Sequence, residues 1–123
     1  MPPGAKHPKR GDVWHLNFSP AAGQEMKYEH FAIVISPDAY NRRTNLIYVA
    51  PISTAANLAR NVGFQVSLSG AGTKTTGVVD LMQIRAVDFK SAERKATYVE
   101  RLPAHIVEEV LQRIAPIFTA DDE

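Results

Sequence analysis

The sequence contains no cysteine, which excludes disulfide bonds and any metal site built on thiolates. Its apolar runs fall far short of the roughly 20 residues that a membrane-spanning helix needs. Its histidines do not show the spacing of a metal site. A formal net charge of +1 means that any anion site must come from local clusters of basic residues. We therefore predict a protein without a metal, another cofactor or a membrane segment.

The composition that remains is that of an ordinary globular protein, with 45% hydrophobic and 22% charged residues. A chain of 123 residues is long enough for one domain with a real core. We predict a flexible basic arm over 1–9, a single domain over 10–118 and an acidic tail over 119–123. The arm has no apolar stretch after its positive charges, so it does not read as a secretion signal, and we predict a cytoplasmic protein.

Short segments with alternating or continuous apolar residues predict a sheet. In the first of them, Val13, His15 and Asn17 should face one way, while Trp14 and its alternating neighbours Leu16 and Phe18 face the core on the other side. The predicted strands are 12–18, 31–36, 45–50, 63–68 and 77–83, with shorter extended pieces at 84–88 and 97–100.

The last part of the chain changes to a helical period, with apolar residues at three-to-four spacing from Ile106 to Phe118. Pro103 suits the first helical position, and Pro116 is expected to kink or end this helix near its last turn. Asp38 to Asn41 could form one helical turn. Many short strands and one terminal helix predict a mainly β fold, a small, strongly bent sheet or barrel closed by that helix.

The loop between the first two strands, which carries Glu25, Lys27 and His30, is the leading candidate for a functional segment, because loops on a rigid sheet often hold binding and catalytic groups. Each candidate also has an ordinary interpretation. Glu25 could be a surface charge, and Ser53 could make a turn hydrogen bond. The arginines at 42, 43 and 60 could be solvated side chains or phosphate contacts.

A set of short pieces, in order along the chain, resembles the MazF/PemK family of type II toxin–antitoxin endoribonucleases, and the PemK and ChpB branch in particular. The pieces are Arg10–Trp14, Ser19-Pro20, Gly23–Glu25, Ala32–Ser36, Asn41-Arg42, Ala50–Ser53, Asn57–Arg60, Gly63-Phe64, Gly77–Val79 and Gln83–Arg85. The resemblance implies an SH3-like barrel with a C-terminal helix, a homodimer, and metal-independent cleavage of single-stranded RNA. It also implies a cognate antitoxin whose flexible segment occupies the RNA groove.

The sequence departs from the family pattern at the candidate site. Family members usually carry Arg-Pro before the second strand, and that arginine is taken to be catalytic, whereas this chain has His30-Phe31. Ser53 replaces a threonine. Asp80 and Met82 replace an arginine and an aspartate found in some PemK members, and Gln24 replaces a histidine. Glu25 is retained.

The resemblance implies that Glu25, His30 and Ser53 are the catalytic residues. Glu25 and His30 could act as a general base and acid, and Ser53 could donate to a phosphate oxygen. The residues expected to bind RNA are Gln24, Lys27, Arg42, Thr54, Asn57, Arg60 and Gln83.

One alternative stays open: a non-nuclease or weakly catalytic homologue that acts by binding, as an antitoxin-binding module or a gyrase poison like CcdB. The chain ends in Phe118-Thr119-Ala120 and an acidic tail, without the Trp-Gly-Ile type ending associated with CcdB. That ending argues against gyrase as the target.

Overall fold

The structure, a computed structural model, describes residues 7–54 and 63–119. These residues form seven strands and two α-helices, with 3-10 turns at Leu81–Gln83 and Ala92–Arg94. In chain order the elements are β1 (Asp12–Asn17), β2 (Glu29–Val34), α1 (Asp38–Thr44), β3 (Ile47–Ser53), β4 (Gln65–Ser67), β5 (Val78–Asp80), β6 (Arg85–Val87), β7 (Thr97–Arg101) and α2 (Ala104–Thr119).

The strands form one antiparallel sheet in the order β4-β5-β3-β2-β1-β7, and β6 pairs with the first half of β3. Within the described residues, the outer strands β4 and β7 do not pair with each other, so the sheet stays open. The prediction of a mainly β fold with a C-terminal helix is confirmed.

Each face of the sheet carries its own apolar core. On one face, Val13 of β1 packs with Ile33 and with Ile106 and Val110 of α2. On the other face the residues that alternate with Val13 are buried; they are Trp14, Leu16 and Phe18, joined by Val34, Val49 and Phe89. The alternation predicted for β1 is therefore confirmed, and both faces of this strand are covered in the way that a central strand requires.

Helix α2 buries the predicted apolar stripe, with Ile106, Val110 and Ile114 against the sheet. It begins directly after Pro103, whose carbonyl accepts from the backbone N–H of Ile106 at 3.0 Å. The helix does not end at Pro116 but continues to Thr119. Pro116 lies in the exposed last turn, so the carbonyl that loses its hydrogen-bond partner there can be hydrated.

The first piece of the family resemblance, Arg10–Trp14, stabilises the fold by hydrogen bonds and close packing. Asp12 is fully buried, and its Oδ2 accepts from the backbone N–H of Lys9 at 2.9 Å and from Trp14 Nε1 at 3.3 Å. Gly11 has a φ of 92°, and a Cβ on it would lie 3.0 Å from a methyl group of Val107. A larger residue at Gly11 would therefore push β1 away from α2.

Residues 7–9 belong to the predicted flexible arm over 1–9, of which residues 1–6 lie outside the described residues. Pro8 is buried, and its carbonyl accepts from Asn41 Nδ2 at 3.1 Å. The ring of His7 lies edge-on to Phe89, with 5.5 Å between the ring centroids. Residues 7–9 are thus part of the packed domain.

Three predicted boundaries also differ. Helix α1 runs over Asp38–Thr44, which is longer than one turn. Strand β3 continues through the buried Pro51 to Ser53. The strand predicted over 77–83 ends at Asp80, because the Asp80 carboxylate accepts from the backbone N–H of Met82 at 3.0 Å and starts a 3-10 turn.

Candidate functional site

The loop between β1 and β2 folds back on itself at Glu25. The Glu25 carboxylate accepts from the backbone N–H of Ala22 at 2.8 Å, and the Glu25 N–H donates to the Ala22 carbonyl at 3.0 Å. These two bonds close a short turn that holds the exposed Glu25 side chain at the surface. The turn thus holds the Glu25 carboxylate at a fixed place on the surface, where a bound ligand could reach it.

Gln83, which is distant in sequence, holds the same loop in place by hydrogen bonds. Its Oε1 accepts from the backbone N–H of Met26 at 3.0 Å, and its Nε2 donates to the carbonyl of Gln24 at 2.9 Å. Both ends of the amide are therefore bonded to the backbone on either side of Glu25. Gln83, expected to bind RNA, is placed in the structure as a support for the Glu25 turn.

His30 lies at the start of β2, on the face that carries Phe18. Its Nε2–H donates to the carbonyl of Lys27 at 2.6 Å, and its ring lies edge-on to Phe18 with 5.9 Å between the centroids. Since a carbonyl oxygen only accepts, Nε2 carries the proton, and Nδ1 is the ring nitrogen that could take up another. The histidine is half-buried.

Ser53 lies beside His30. Phe31 of β2 is opposite Ile52 of β3, and the antiparallel register continued by one residue sets His30 opposite Ser53. Residues opposite each other in an antiparallel pair point to the same face, with Cβ atoms about 5 Å apart. The structure thus brings together two of the three residues predicted to be catalytic.

Arg85 is a candidate that the sequence reasoning missed. Its guanidinium donates from one terminal nitrogen to the carbonyl of Phe18 at 2.8 Å. Burial lowers the pKa of Arg85, the nearby positive charge of Arg94 lowers it further, and the carboxylate of Glu25 acts in the opposite direction. The available signal was an arginine that lies between two apolar residues and follows Gln83 by two positions.

The third predicted catalytic residue, Glu25, shares a cavity with Arg85. This cavity, called the Glu25 cavity below, has a volume of about 410 Å³. Its lining residues are Glu25, Met26, Met82, Gln83, Ile84, Arg85 and Ala86. The carboxylate and the guanidinium therefore border the same open space, next to the end of β1.

A second cavity of about 410 Å³ lies beside the beginning of β2 and the end of β3. We call it the Phe31 cavity. Its lining residues are His15, Glu29, His30, Phe31, Ile52, Ser53, Thr54, Lys74, Thr75, Thr76 and Val99. His30, Ser53 and Thr54 border this space, whereas Glu25 and Gln83 border the other cavity.

The remaining predicted RNA-binding residues are spread more widely. Lys27 is exposed in the β1–β2 loop. Arg42 lies on α1, next to the beginning of β3 and so at the opposite end of that strand from Ser53; it pairs with Asp38 at 2.8 Å. Asn57 and Arg60 lie outside the described residues.

The described residues hold no group of three or more histidine, cysteine, aspartate or glutamate side chains able to bind a metal ion. Among the same residues, no helix is long and apolar enough to cross a membrane.

Comparisons with known proteins show which family and fold the chain resembles. The family model of PemK-like, MazF-like toxins of type II toxin–antitoxin systems matches residues 9–118. Endoribonuclease PemK of Escherichia coli is 40% identical over 111 residues, which cover 90% of this chain and 82% of that protein. MazF of Deinococcus radiodurans has a similar crystal structure, with a TM-score of 0.79, 31% identity, and coverage of 91% of this chain and 96% of that one. A MazE–MazF structure from the same organism gives a TM-score of 0.73 at 30% identity, with the same coverage.

Proposed function

The chain belongs to the PemK-like, MazF-like toxins of type II toxin–antitoxin systems, and we propose that it cleaves single-stranded RNA beside the end of β1. Its relatives are named endoribonucleases, which supports RNA cleavage over the alternative of a CcdB-like binding protein. We further propose that the reaction is an attack by the neighbouring 2′-hydroxyl, that it needs no metal, and that it takes place in the cytoplasm.

One observation carries the proposal: two groups that this reaction can use meet at Phe18, and one of them, Arg85, borders a cavity with Glu25. His30 contacts the ring of Phe18, Arg85 donates to its carbonyl, and Glu25 borders a cavity with Arg85. Ser53 lies opposite His30 on the same face of the sheet. The site therefore offers a carboxylate, an imidazole, a hydroxyl and a guanidinium within one region.

The chemistry assigns a role to each group. Attack by a 2′-hydroxyl requires a base to remove its proton, an acid to protonate the leaving 5′-oxygen, and donors to the phosphate oxygens, where negative charge develops. Glu25 and His30 are the proposed proton-handling pair, and Ser53 donates to a phosphate oxygen. Arg85 supplies positive charge close to Glu25. The products are a 2′,3′-cyclic phosphate and a 5′-hydroxyl.

The reaction is tested by incubating the purified chain with a long single-stranded RNA in excess EDTA. We expect cleavage at selected sequences and fragments that carry 5′-hydroxyl ends. Fragments with 5′-phosphate ends, or full inhibition by EDTA, would contradict the proposed 2′-hydroxyl mechanism.

The site is tested at His30, which has the place of the family arginine. General acid–base groups typically contribute about 10²–10⁴-fold to the rate, so His30→Ala should lower cleavage by that factor while the protein stays folded. If the histidine itself transfers the proton, His30→Arg should also lower cleavage, whereas a histidine that only replaces the family arginine should be improved by that change. Equal rates in all three proteins would place the catalytic centre elsewhere.

Two partners complete the proposal. A MazF neighbour is solved together with MazE, and by that analogy we propose that a cognate antitoxin binds this chain. We also propose a homodimer, since exposed apolar side chains border one groove beside the end of α2. The groove residues are Phe64, Leu81, Met82, Ile84, Ile117 and Phe118, of which Phe118 is 72% exposed and Met82 57% exposed.

A further inference from the structure

Two aromatic rings lie side by side in the Phe31 cavity. His15 of β1 is opposite Phe31 of β2, and the ring centroids are 4.9 Å apart in an edge-to-face arrangement. Phe31 remains 40% exposed. Elsewhere on β1 and β2 the large apolar side chains are buried, so Phe31 is the exposed aromatic side chain of these two strands.

The rest of the cavity is polar at its edges. Thr54 and Thr76 contribute hydroxyl groups, and Lys74 contributes an ammonium group. Glu29 adds a carboxylate whose oxygen lies 3.8 Å from Nδ1 of His15. A flat apolar floor with donors and acceptors around it suits a planar ligand that stacks by its face and forms hydrogen bonds by its edge.

The wall that carries Lys74 is held in place before any ligand arrives. The carboxylate of Glu100 accepts from the backbone N–H of Lys74 at 3.1 Å, from the N–H of Thr75 at 2.6 Å and from the Thr75 hydroxyl at 2.6 Å. Thr75 is 95% buried, with a relative exposure of 5%. The cavity is therefore largely preformed, which lowers the entropy cost of binding.

We propose that the Phe31 cavity binds one unpaired nucleobase of the RNA, stacked on the Phe31 ring, with the adjoining phosphate next to Lys74. Unpaired bases are commonly recognised by stacking on aromatic side chains exposed on a sheet. The inference rests on the proposed function, because it names how that RNA is held.

The position of the cavity relative to the proposed catalytic residues supports this assignment. Successive residues of a strand point to opposite faces, so His30 and Phe31 present their side chains on the two sides of β2. A base held against Phe31 leaves its sugar and phosphate at the strand ends, within reach of His30 and Ser53. One nucleotide would thus be held against Phe31 with its phosphate close to His30 and Ser53, which border the same cavity.

The test measures binding without cleavage. Single-stranded 2′-O-methyl dodecamers are tiled across the long RNA used for the cleavage assay, and the dodecamer that binds most tightly in fluorescence anisotropy is chosen. That probe is then remade with one abasic residue at each position in turn. Each probe is titrated against wild type, Phe31→Leu and Phe31→Tyr. Leucine keeps an apolar side chain without a π face, and tyrosine keeps the flat ring.

We expect Phe31→Leu to weaken binding of the intact probe by about 5- to 150-fold, while Phe31→Tyr binds nearly as wild type. In wild type, one abasic position should cause the same loss, and in Phe31→Leu that position should cause no further loss. Thermal unfolding of Phe31→Leu shows whether the variant is folded.

The outcomes separate the two proposals. If the chain cuts RNA but a folded Phe31→Leu binds the intact probe as wild type does, or no abasic position couples to Phe31, the base subsite is refuted and the nuclease proposal stands. Coupled binding without cleavage would support the subsite and refute the nuclease.

Discussion

Glu100 offers a sharp test of the physical reasoning, because one carboxylate holds an entire loop. It accepts three hydrogen bonds from Lys74 and Thr75, at 3.1, 2.6 and 2.6 Å. The change Glu100→Gln keeps the size of the side chain but replaces one acceptor oxygen with an NH2 group. Oε2 accepts both bonds from Thr75 and Oε1 accepts the bond from Lys74, so the NH2 group removes at least one of the three bonds and the charge of the acceptor is lost from the others.

The expected cost follows from these contacts. A hydrogen bond to a charged acceptor contributes about 1.5–3 kcal/mol, so we expect Glu100→Gln to lower the free energy of unfolding by about 2 kcal/mol. For a domain of this size, about 4 °C is lost for each kcal/mol, which predicts a melting temperature about 8 °C lower at pH 7. Differential scanning calorimetry measures the change. The matched control is Glu108→Gln, since Glu108 is an exposed carboxylate on α2.

The stability difference between wild type and Glu100→Gln should also depend on pH in a defined direction. Burial raises the pKa of Glu100, but the hydrogen bonds from Thr75 and Lys74 and the charge of Lys74 outweigh it, so the pKa lies below its ordinary value of 4.5. A carboxyl whose pKa is depressed by folding stabilises the protein above that ordinary value, and the stabilisation is lost as the pH falls through the folded-state pKa. The difference between wild type and Glu100→Gln should therefore be full above pH 4.5 and shrink below it. A difference that is the same at pH 7 and well below pH 4.5, or no larger than that of Glu108→Gln, would refute the reasoning.

Three further predictions concern the site, a buried acid and the surface. Gln83→Ala should lower RNA cleavage on the order of 10–100-fold while the protein stays folded, because the loop around Glu25 loses both bonds that it receives from Gln83; full activity would contradict this. Burial raises the pKa of Asp80, so its ionised form destabilises the fold once the pH rises above the ordinary value of 3.8. Asp80→Asn should therefore melt at a higher temperature than wild type at pH 7, and a variant that is less stable there would oppose this account. Light scattering at micromolar concentration should give about twice 13.6 kDa, and Phe118→Glu should give a monomer, whereas an active monomeric wild type would refute the dimer.

The parts of the fold that could be predicted are those that depend on local period. The alternation in β1 predicted which side chains enter which core, and the three-to-four spacing after Pro103 predicted the buried face of α2. Such patterns need no knowledge of distant contacts, because the backbone geometry of a strand or helix fixes the direction of each side chain. The ends of elements were less predictable, since one side-chain bond at Asp80 was enough to end β5.

The hydrogen bonds that support the site could not be predicted, because they join residues that are far apart in the sequence. Gln83 bonds to Met26 across 57 positions of sequence, and Arg85 bonds to Phe18 across 67. No local pattern encodes such a pairing. The family resemblance led to the expectation that Gln83 binds RNA. In the structure both ends of its amide are hydrogen-bonded to the backbone of the Glu25 loop. Arg85 was noticed only as part of a family piece.

If His30 and Phe31 have the proposed roles, the replacement of Arg-Pro by this pair affects two functions, because neighbouring residues of a strand point to opposite faces. On one face, an imidazole cannot copy the paired donors of a guanidinium, so charge on the phosphate must be met by another group. Arg85 has the required chemistry and lies beside Glu25, but its bond to the Phe18 carbonyl uses part of its donor capacity. On the other face, Phe31 adds an exposed ring next to His15, which a proline could not supply. Weaker stabilisation of the phosphate would lower the rate of cleavage, and tighter binding of one base would raise selectivity. Such an enzyme would choose its RNA sites mainly by base recognition.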